Sequence, residues 1–329
     1  MDLTTTYMGY TLANPIVVGA SPLSWDLDKA RRCADAGAGA IVMYSLFEEQ
    51  IVREQLAINR ALYESAEGFP EAITYLPEPE ELNLGPDRYL EQLRKLKRSL
   101  PIPVIASLNG TTEGGWVKYA RLIEQAGADG LELNTYNLVT EPRASSSEVE
   151  AHSVQLVREI RKSIRIPLAV KLSPFYTALP NFAEKLSAAG AESLVLFNRF
   201  YQPDIDTDNL EVVRVNLSDS AELLMRLHWL AILFGRVDTE LAVTGGVHSH
   251  KDVIKCVMAG ASAVQMVSAL LKHGPSHIRS LLVDLRQWLG EREYESVDQL
   301  VGTMSLIKCP DPAQYVRDNY MQVLHSWKE

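Results

Sequence analysis

The sequence predicts an α/β chain folded as a (β/α)8 TIM barrel, with long insertions after strands 2 and 6 and a C-terminal helical extension. Two observations carry this expectation. The triplet Ala-Gly-Ala recurs at Ala36-Gly37-Ala38, Ala126-Gly127-Ala128, Ala189-Gly190-Ala191 and Ala259-Gly260-Ala261, each time after an amphipathic helical segment and before an apolar run. Glycine just past the last helical turn takes the left-handed cap, and the small alanine beside it lets the chain turn closely into the sheet. Helix, glycine stop and strand in repetition describe βα units and hence a parallel sheet. The second observation is the stretch from Glu240 to Pro275. Leu241–Val243 and Ala263–Val267 each end in small residues, Thr244-Gly245-Gly246 and Ser268-Ala269, with Val253, Ile254, Val257 and Met258 at helical spacing between them. A β/α barrel makes its phosphate site from the turns after strands seven and eight. A pair of ordinary βα turns is the plainer alternative, since Gly-Gly is a common turn signal.

In chain order the expected strands are Ile16–Ala20, Ala40–Tyr44, Val104–Leu108, Leu131–Thr135, Leu168–Leu172, Leu194–Phe197, Leu241–Val243 and Ala263–Val267. Helical segments at Asp26–Ala36, Arg88–Ser99, Gly115–Gln125, Glu148–Ser163 and Asn181–Ala188 separate the first six, and Ile278–Leu289 follows the eighth. Several strands are apolar on both faces, as a strand is when helices cover one side and a packed barrel the other. A doubly wound open sheet is the competitor; eight units ending in a phosphate turn favour closure. Residues 46–86, rich in Glu and Pro, and Arg199–Leu217 are too long and irregular for βα loops. Loops of that length act as lids or binding segments, and both follow a strand, at the catalytic face. After Arg292 a tail with Leu300, Val301, Met304 and Leu306 is expected to pack on the barrel or on a second subunit.

The 329 residues are expected to form one domain, 1–329, because a barrel with insertions reaches that length. A formal charge of −10 argues against a phosphate-backbone partner, which would call for clustered Lys and Arg, and no nucleic-acid partner is expected. No uncharged apolar run reaches membrane-spanning length, so no membrane partner is expected. The start, MDLTTTYMGYTLANP, has neither basic residues nor an apolar signal core, which places the expectation in the cytoplasm. Cys33, Cys256 and Cys309 lack metal-ligand spacing and read as reduced thiols. His248 and His250 follow the Gly-Gly turn without a partner to complete a metal set, and a solvated face is expected for them.

Side chains two apart on a strand share a face. Glu132 and Asn134 therefore align on the fourth strand, Ala169 and Lys171 on the fifth; the third ends at Ser107 and Asn109 and the sixth at Asn198. A lysine within an apolar strand is costly unless it is paired or working. Lys171 is read either as the partner of Glu132 in a buried ion pair or as a working residue at the barrel mouth. Several asparagines with one lysine suit a flat, carbonyl-rich ring that gains negative charge, as a flavin does on reduction.

With these residues in place, the chain resembles the dihydroorotate dehydrogenase family, in particular its soluble class 1 branch. The resemblance runs from Leu12-Ala13-Asn14-Pro15 to Gly274-Pro275 and rests on LANPIVVGAS, NLGPDRYL at 83–90, ASLNG at 106–110, GLELN at 130–134, VKLSP at 170–174 and VTGGVHSHKDVIKCVMAGASAVQM at 243–266. It implies FMN, with the phosphate at Gly245-Gly246 and Val267-Ser268. It further implies that Ala20, Ser21, Ser45 and Asn109 contact the cofactor, Asn134 the flavin and the substrate, Lys171 the flavin ring, and Asn198 the substrate. The implied activity is hydride transfer between flavin and dihydroorotate/orotate or a related small planar ring, in pyrimidine biosynthesis, with a soluble electron acceptor and a homodimeric chain.

Three departures accompany the match. Asn137 stands at the catalytic-base position, where the family has cysteine or serine, and an amide has no useful basicity near neutral pH. Tyr44 replaces a second family lysine. The acidic ITYLPEPEELNLG replaces the family's NSMGLPN substrate loop. Two other functions stay open at this point: a flavin-free barrel isomerase or aldolase acting on a phosphorylated metabolite, and a catalytically silent FMN-binding relative.

Overall fold

The computed structural model describes residues 1–47, 86–109, 113–135, 139–199, 203–214, 217–312 and 326. Eight parallel strands close into a barrel: β3 (Ile16–Val18), β4 (Ala40–Phe47), β5 (Val104–Asn109), β6 (Gly130–Asn134), β7 (Leu168–Leu172), β8 (Ser193–Leu196), β11 (Glu240–Thr244) and β12 (Ala263–Met266), with β12 pairing back onto β3. All eight expected strands are present. Around them lie α1 (Leu27–Asp35), α2 (Pro86–Ser99), α3 (Glu113–Gln125), α4 (Ser146–Ser163), α5 (Leu179–Ala188), α6 (Leu223–Leu233), α7 (His250–Ala259), α8 (Ser268–His273) and α9 (His277–Glu291). The glycines of the four Ala-Gly-Ala triplets all have positive φ, from 92° at Gly127 to 118° at Gly260, as the left-handed cap requires.

Helix α6 was not expected. Its sequence, LLMRLHWLAIL, is apolar on nearly every side, so it carries no 3.6-residue alternation to read. Two hairpins were also unexpected. The first, β1 (Thr5–Tyr7) with β2 (Tyr10–Leu12), turns at Met8 and Gly9, both with positive φ (51° and 74°), a turn usually written Asn-Gly. Tyr7, Met8 and Leu12 enter the base of the barrel and pack with Val17, Val42 and Ile105. The plug explains the small residues inside the barrel, Ala40, Ala169, Ala242 and Ala263, which leave it room. It also explains Gly130: a Cβ there would lie 2.7 Å from Met8 Cε. The Met8 N–H donates to the Glu240 carboxylate, Tyr10 Oη to Asp129 O at 2.8 Å, and Thr5 Oγ1 to Ser262 O at 2.8 Å.

The second hairpin, β9 (Pro203–Asp206) with β10 (Glu211–Arg214), occupies much of the insertion read as irregular. It leaves Ile205, Leu210 and Val212 exposed. Of the insertion at 46–86, residues 48–85 lie outside the described residues. The tail after Arg292 packs on the barrel's own helices: Gly302 N donates to Val257 O and Met304 N to Met258 O, both on α7, while Leu300 and Leu306 are buried.

Candidate active site at the carboxyl ends of the strands

Strands β6 and β7 run in register, Glu132 opposite Ala169 and Asn134 opposite Lys171. Lys171 Nζ lies 3.1 Å from Glu132 Oε1, with side chains 8% and 1% exposed. The second Glu132 oxygen accepts from Gln265 Nε2 of β12 at 2.5 Å. A buried ion pair holds only when its remaining polar atoms are also bonded, and Gln265 supplies that bond. Lys171 is nevertheless not sealed away. It lines a cavity of about 170 Å³ at the mouth together with Asn198, Ser218, Gly245, Gly246 and Ser268. The ion-pair reading of this lysine is met, and its side chain also borders the cavity at the mouth. Across the mouth, Asn198 Nδ2 donates to Asn134 Oδ1 at 3.3 Å.

The opposite wall is a cradle. Gly245 and Gly246 have φ of +88° and +79°, a region other residues enter at a cost. A Cβ on Gly246 would lie 2.6 Å from Leu223 N, and one on Gly245 would lie 2.7 Å from Arg226 Nη2. The glycines thus make room for α6 behind the turn, a second reason for glycine beyond the approach of an anion. Ser218, which sequence reading missed, ties the cradle together: its N and Oγ lie 3.0 and 2.9 Å from Ser268 Oγ, and Gly246 N donates to its Oγ at 3.3 Å. The signal for it was weak, one serine in an irregular loop. Val267 and Ala20 also line this cavity.

A bulge decides which residues of β4 face the mouth. Val42 pairs with Ile105 but Ser45 with Ser107, three residues against two. Ser45 Oγ consequently meets Ser107 Oγ at 2.8 Å. Tyr44 turns outward and packs edge-on against Trp25 and Tyr89 in the layer between barrel and helices. Its hydroxyl is buried without a hydrogen-bond partner among the described residues, and burial pushes the phenol up to about 12. Tyr44, read from the sequence as replacing a second family lysine, is directed away from the mouth by this bulge. Asn109, at the end of β5, is half-buried. Ser21 lies just past β3, buried, its Oγ unbonded among the described residues. Asn137 and Tyr136 lie outside the described residues.

His248 is not the solvated residue expected. Its N–H donates to Asp252 Oδ2 at 3.1 Å, its carbonyl meets His277 Nε2 at 2.9 Å, and burial lowers its basicity. His250 faces Asp284 at 3.5 Å. Among the described residues no cluster of three or more His, Cys, Asp or Glu is placed to hold a metal, and no helix is long and apolar enough to cross a membrane.

The sequence model named dihydroorotate dehydrogenase matches residues 81–289, well over half of the chain. The chain belongs to the dihydroorotate dehydrogenase family. Among its relatives, an Aeropyrum pernix protein with the provisional name dihydroorotate dehydrogenase A (fumarate) is 27% identical over 92% of this chain and 97% of its own. The catalytic subunit of dihydroorotate dehydrogenase B (NAD(+)) from Thermoplasma volcanium is 26% identical over 92% and 98%. Subunit PreA of the NAD-dependent dihydropyrimidine dehydrogenase of Escherichia coli is 23% identical over 92% and 76%. This dihydroorotate dehydrogenase relative is a flavin-dependent oxidoreductase of the kind that acts on CH–CH bonds. The mouth suits a flavin: a cradle of small residues on one side, and on the other the buried cation Lys171 lining the same cavity.

Proposed function

We propose that the chain binds FMN in the barrel mouth and exchanges hydride between it and dihydroorotate/orotate or a related small planar ring. The observation that carries this reading is a buried lysine, Lys171, lining the same cavity as a Gly-Gly turn and two bonded serines. When bound, the flavin supplies the hydride chemistry. The protein residues bind, orient and place charge. The N–H groups of Gly245 and Gly246, with the hydroxyls of Ser218 and Ser268, are donors for the phosphate. Ala20 and Ser21 offer backbone at the end of β3, and Ser45 and Asn109 edge the mouth from β4 and β5. Lys171 holds negative charge at the ring, its own position fixed by Glu132. Asn134 and Asn198, already bonded to each other, present amides to a carbonyl-rich ring. An amide at Asn137 cannot take the substrate proton, so dihydroorotate is a poor substrate in the oxidative direction and a related ring is the better candidate.

The remaining parts of the reading are a single domain over 1–329, a soluble electron acceptor, a cytoplasmic location and a homodimer. Ile205, Leu210 and Val212, exposed on the β9–β10 hairpin, support a self-association surface. The deciding experiment is the absorbance spectrum of the purified chain, followed by anaerobic titration with dihydroorotate and dihydropyrimidines. Flavin absorbance bleached by one of these rings is expected. A colourless protein that FMN does not reconstitute defeats the proposal.

A further inference from the structure

The cradle holds more positive charge than its carboxylates cancel. Arg199, the residue after Asn198, lines the cavity and places Nη2 3.4 Å from Glu222 Oε1. Glu222 is also the carboxylate facing Arg226, 4.0 Å from its Nη2. Among the described residues neither arginine has another ion-pair partner. Two cations therefore share one anion. Arg226 is buried, 2% exposed, and donates from Nε to Thr244 O and from Nη1 to Glu222 O, both at 2.5 Å. The other acid close by, Asp252, is committed to His248 N, Ser249 N and Oγ, and Ser220 Oγ.

The place of this charge is set by Glu222. Its backbone carbonyl carbon would lie 3.1 Å from a Cβ on Gly246, which sets residue 222 against the turn, and Arg199, which meets its carboxylate, lines the same cavity as Gly245, Gly246 and Ser268. Arg226 stands directly behind Gly245. A buried cation without full compensation is costly, and burial already lowers the basicity of Arg226. An oxyanion in the cradle removes the imbalance.

We propose that Arg199 is an oxyanion-binding residue of the cradle that contacts the cofactor phosphate, and that Arg226 is a positioning residue that holds the Gly245 turn and supplies charge behind it. The proposal rests on the flavin-nucleotide reading of the site. Neutral donors from the glycine turn and the serines bind a phosphate in any case. The arginines add a charge-assisted part, which falls as salt rises.

The test uses flavin-stripped protein, titrated with FMN and with riboflavin by fluorescence, and inorganic phosphate followed by thermal shift. Arg199→Gln is expected to weaken FMN by about ten- to a hundredfold, the worth of a hydrogen bond to a charged group, and to leave riboflavin within about twofold. The phosphate-induced thermal shift should vanish, and Arg199→Lys should fall between. Glu222→Gln, which removes the competing anion, should tighten FMN. Arg226→Lys keeps the charge in a site shaped for a guanidinium, and should weaken FMN more than riboflavin. Equal weakening of both flavins by Arg199→Gln, or no change in either, overturns the proposal. Should the unaltered chain bind neither flavin, an Arg199-dependent shift with inorganic phosphate upholds the oxyanion site while the flavin reading fails; no shift defeats both.

Discussion

Lys171 and Glu132 form a buried ion pair, Nζ to Oε1 3.1 Å, on adjacent strands, and Asn134, two residues past Glu132, stands opposite Lys171. The pair makes the lysine's charge expensive to remove in two separate ways. Lys171→Met should lower the flavin reduction potential, because a cation near the ring favours the reduced, more negative form. It also strands a buried carboxylate with Gln265 as its remaining partner, and breaking such a pair costs about 3–5 kcal/mol. The double variant Lys171→Met/Glu132→Gln should recover much of that stability and keep the lowered potential. Redox titration and urea unfolding of both variants separate the effects; a potential that recovers along with stability would return Lys171 to a purely structural role.

The barrel was legible in the sequence because its signals are local. Apolar runs, glycine caps and the paired turns at Gly245-Gly246 and Val267-Ser268 each specify an element without knowledge of the others. The shared faces of Glu132 with Asn134 and of Ala169 with Lys171 followed from strand alternation, and Asn198 from its place at the end of the sixth strand. What alternation could not give was Tyr44: one extra residue in β4 reverses the facing of everything after it, and nothing in AIVMYSLF marks the bulge. Ser218, Arg199 and Arg226 escaped because they meet the cradle through tertiary packing of an irregular loop and a helix without periodicity.

The outward turn of Tyr44 has a direct test. Tyr44→Phe should leave the reduction and reoxidation rates of the flavin unchanged. It should hold or raise the melting temperature, because it removes a buried hydroxyl with no partner among the described residues. A rate loss of tenfold or more, seen by stopped flow, would place the phenol back in the chemistry.

Gly246→Val should abolish flavin retention by two routes at once. Valine is disfavoured at φ +79°, and its Cβ would meet Leu223 N at 2.6 Å, so the turn and the start of α6 must both shift. The barrel strands do not depend on that corner, and circular dichroism should stay native with a lowered melting temperature. Flavin-to-protein ratio after gel filtration is the measurement, and a normal ratio counts against the cradle.

Glu240 gives the plug at the barrel base a pH dependence. Burial raises its carboxyl above the ordinary value, opposed by the N–H groups of Met8 and Gly9. A raised folded-state value means that the native protein binds the proton more tightly than the unfolded chain. Its contribution is most favourable below the unfolded value and is lost as pH rises through the folded one. Glu240→Gln, which keeps an acceptor for the plug, should flatten this part of the stability profile above the ordinary glutamate range. Melting temperatures of both proteins across a pH series would show it; parallel curves would contradict it.

The sharpest prediction concerns the proton. The family resemblance assigns Asn137 to the base position, and an amide neither accepts nor carries a proton at neutral pH. Of the two phenols that could stand in for the base, Tyr44 is turned away from the mouth, and Tyr136 lies outside the described residues. Among the described residues, the polar groups lining the cavity are a lysine already paired with Glu132, an arginine, amides and hydroxyls, with no carboxylate, histidine or cysteine. Dihydroorotate oxidation should therefore be slow by roughly the 10²–10⁴-fold that general base catalysis contributes. Asn137→Cys should restore part of it, with a pH profile that rises as the new thiol ionises. Rapid reduction of the flavin by dihydroorotate in the unaltered protein would refute this, and would direct the search for a base to the acidic segment between residues 46 and 86.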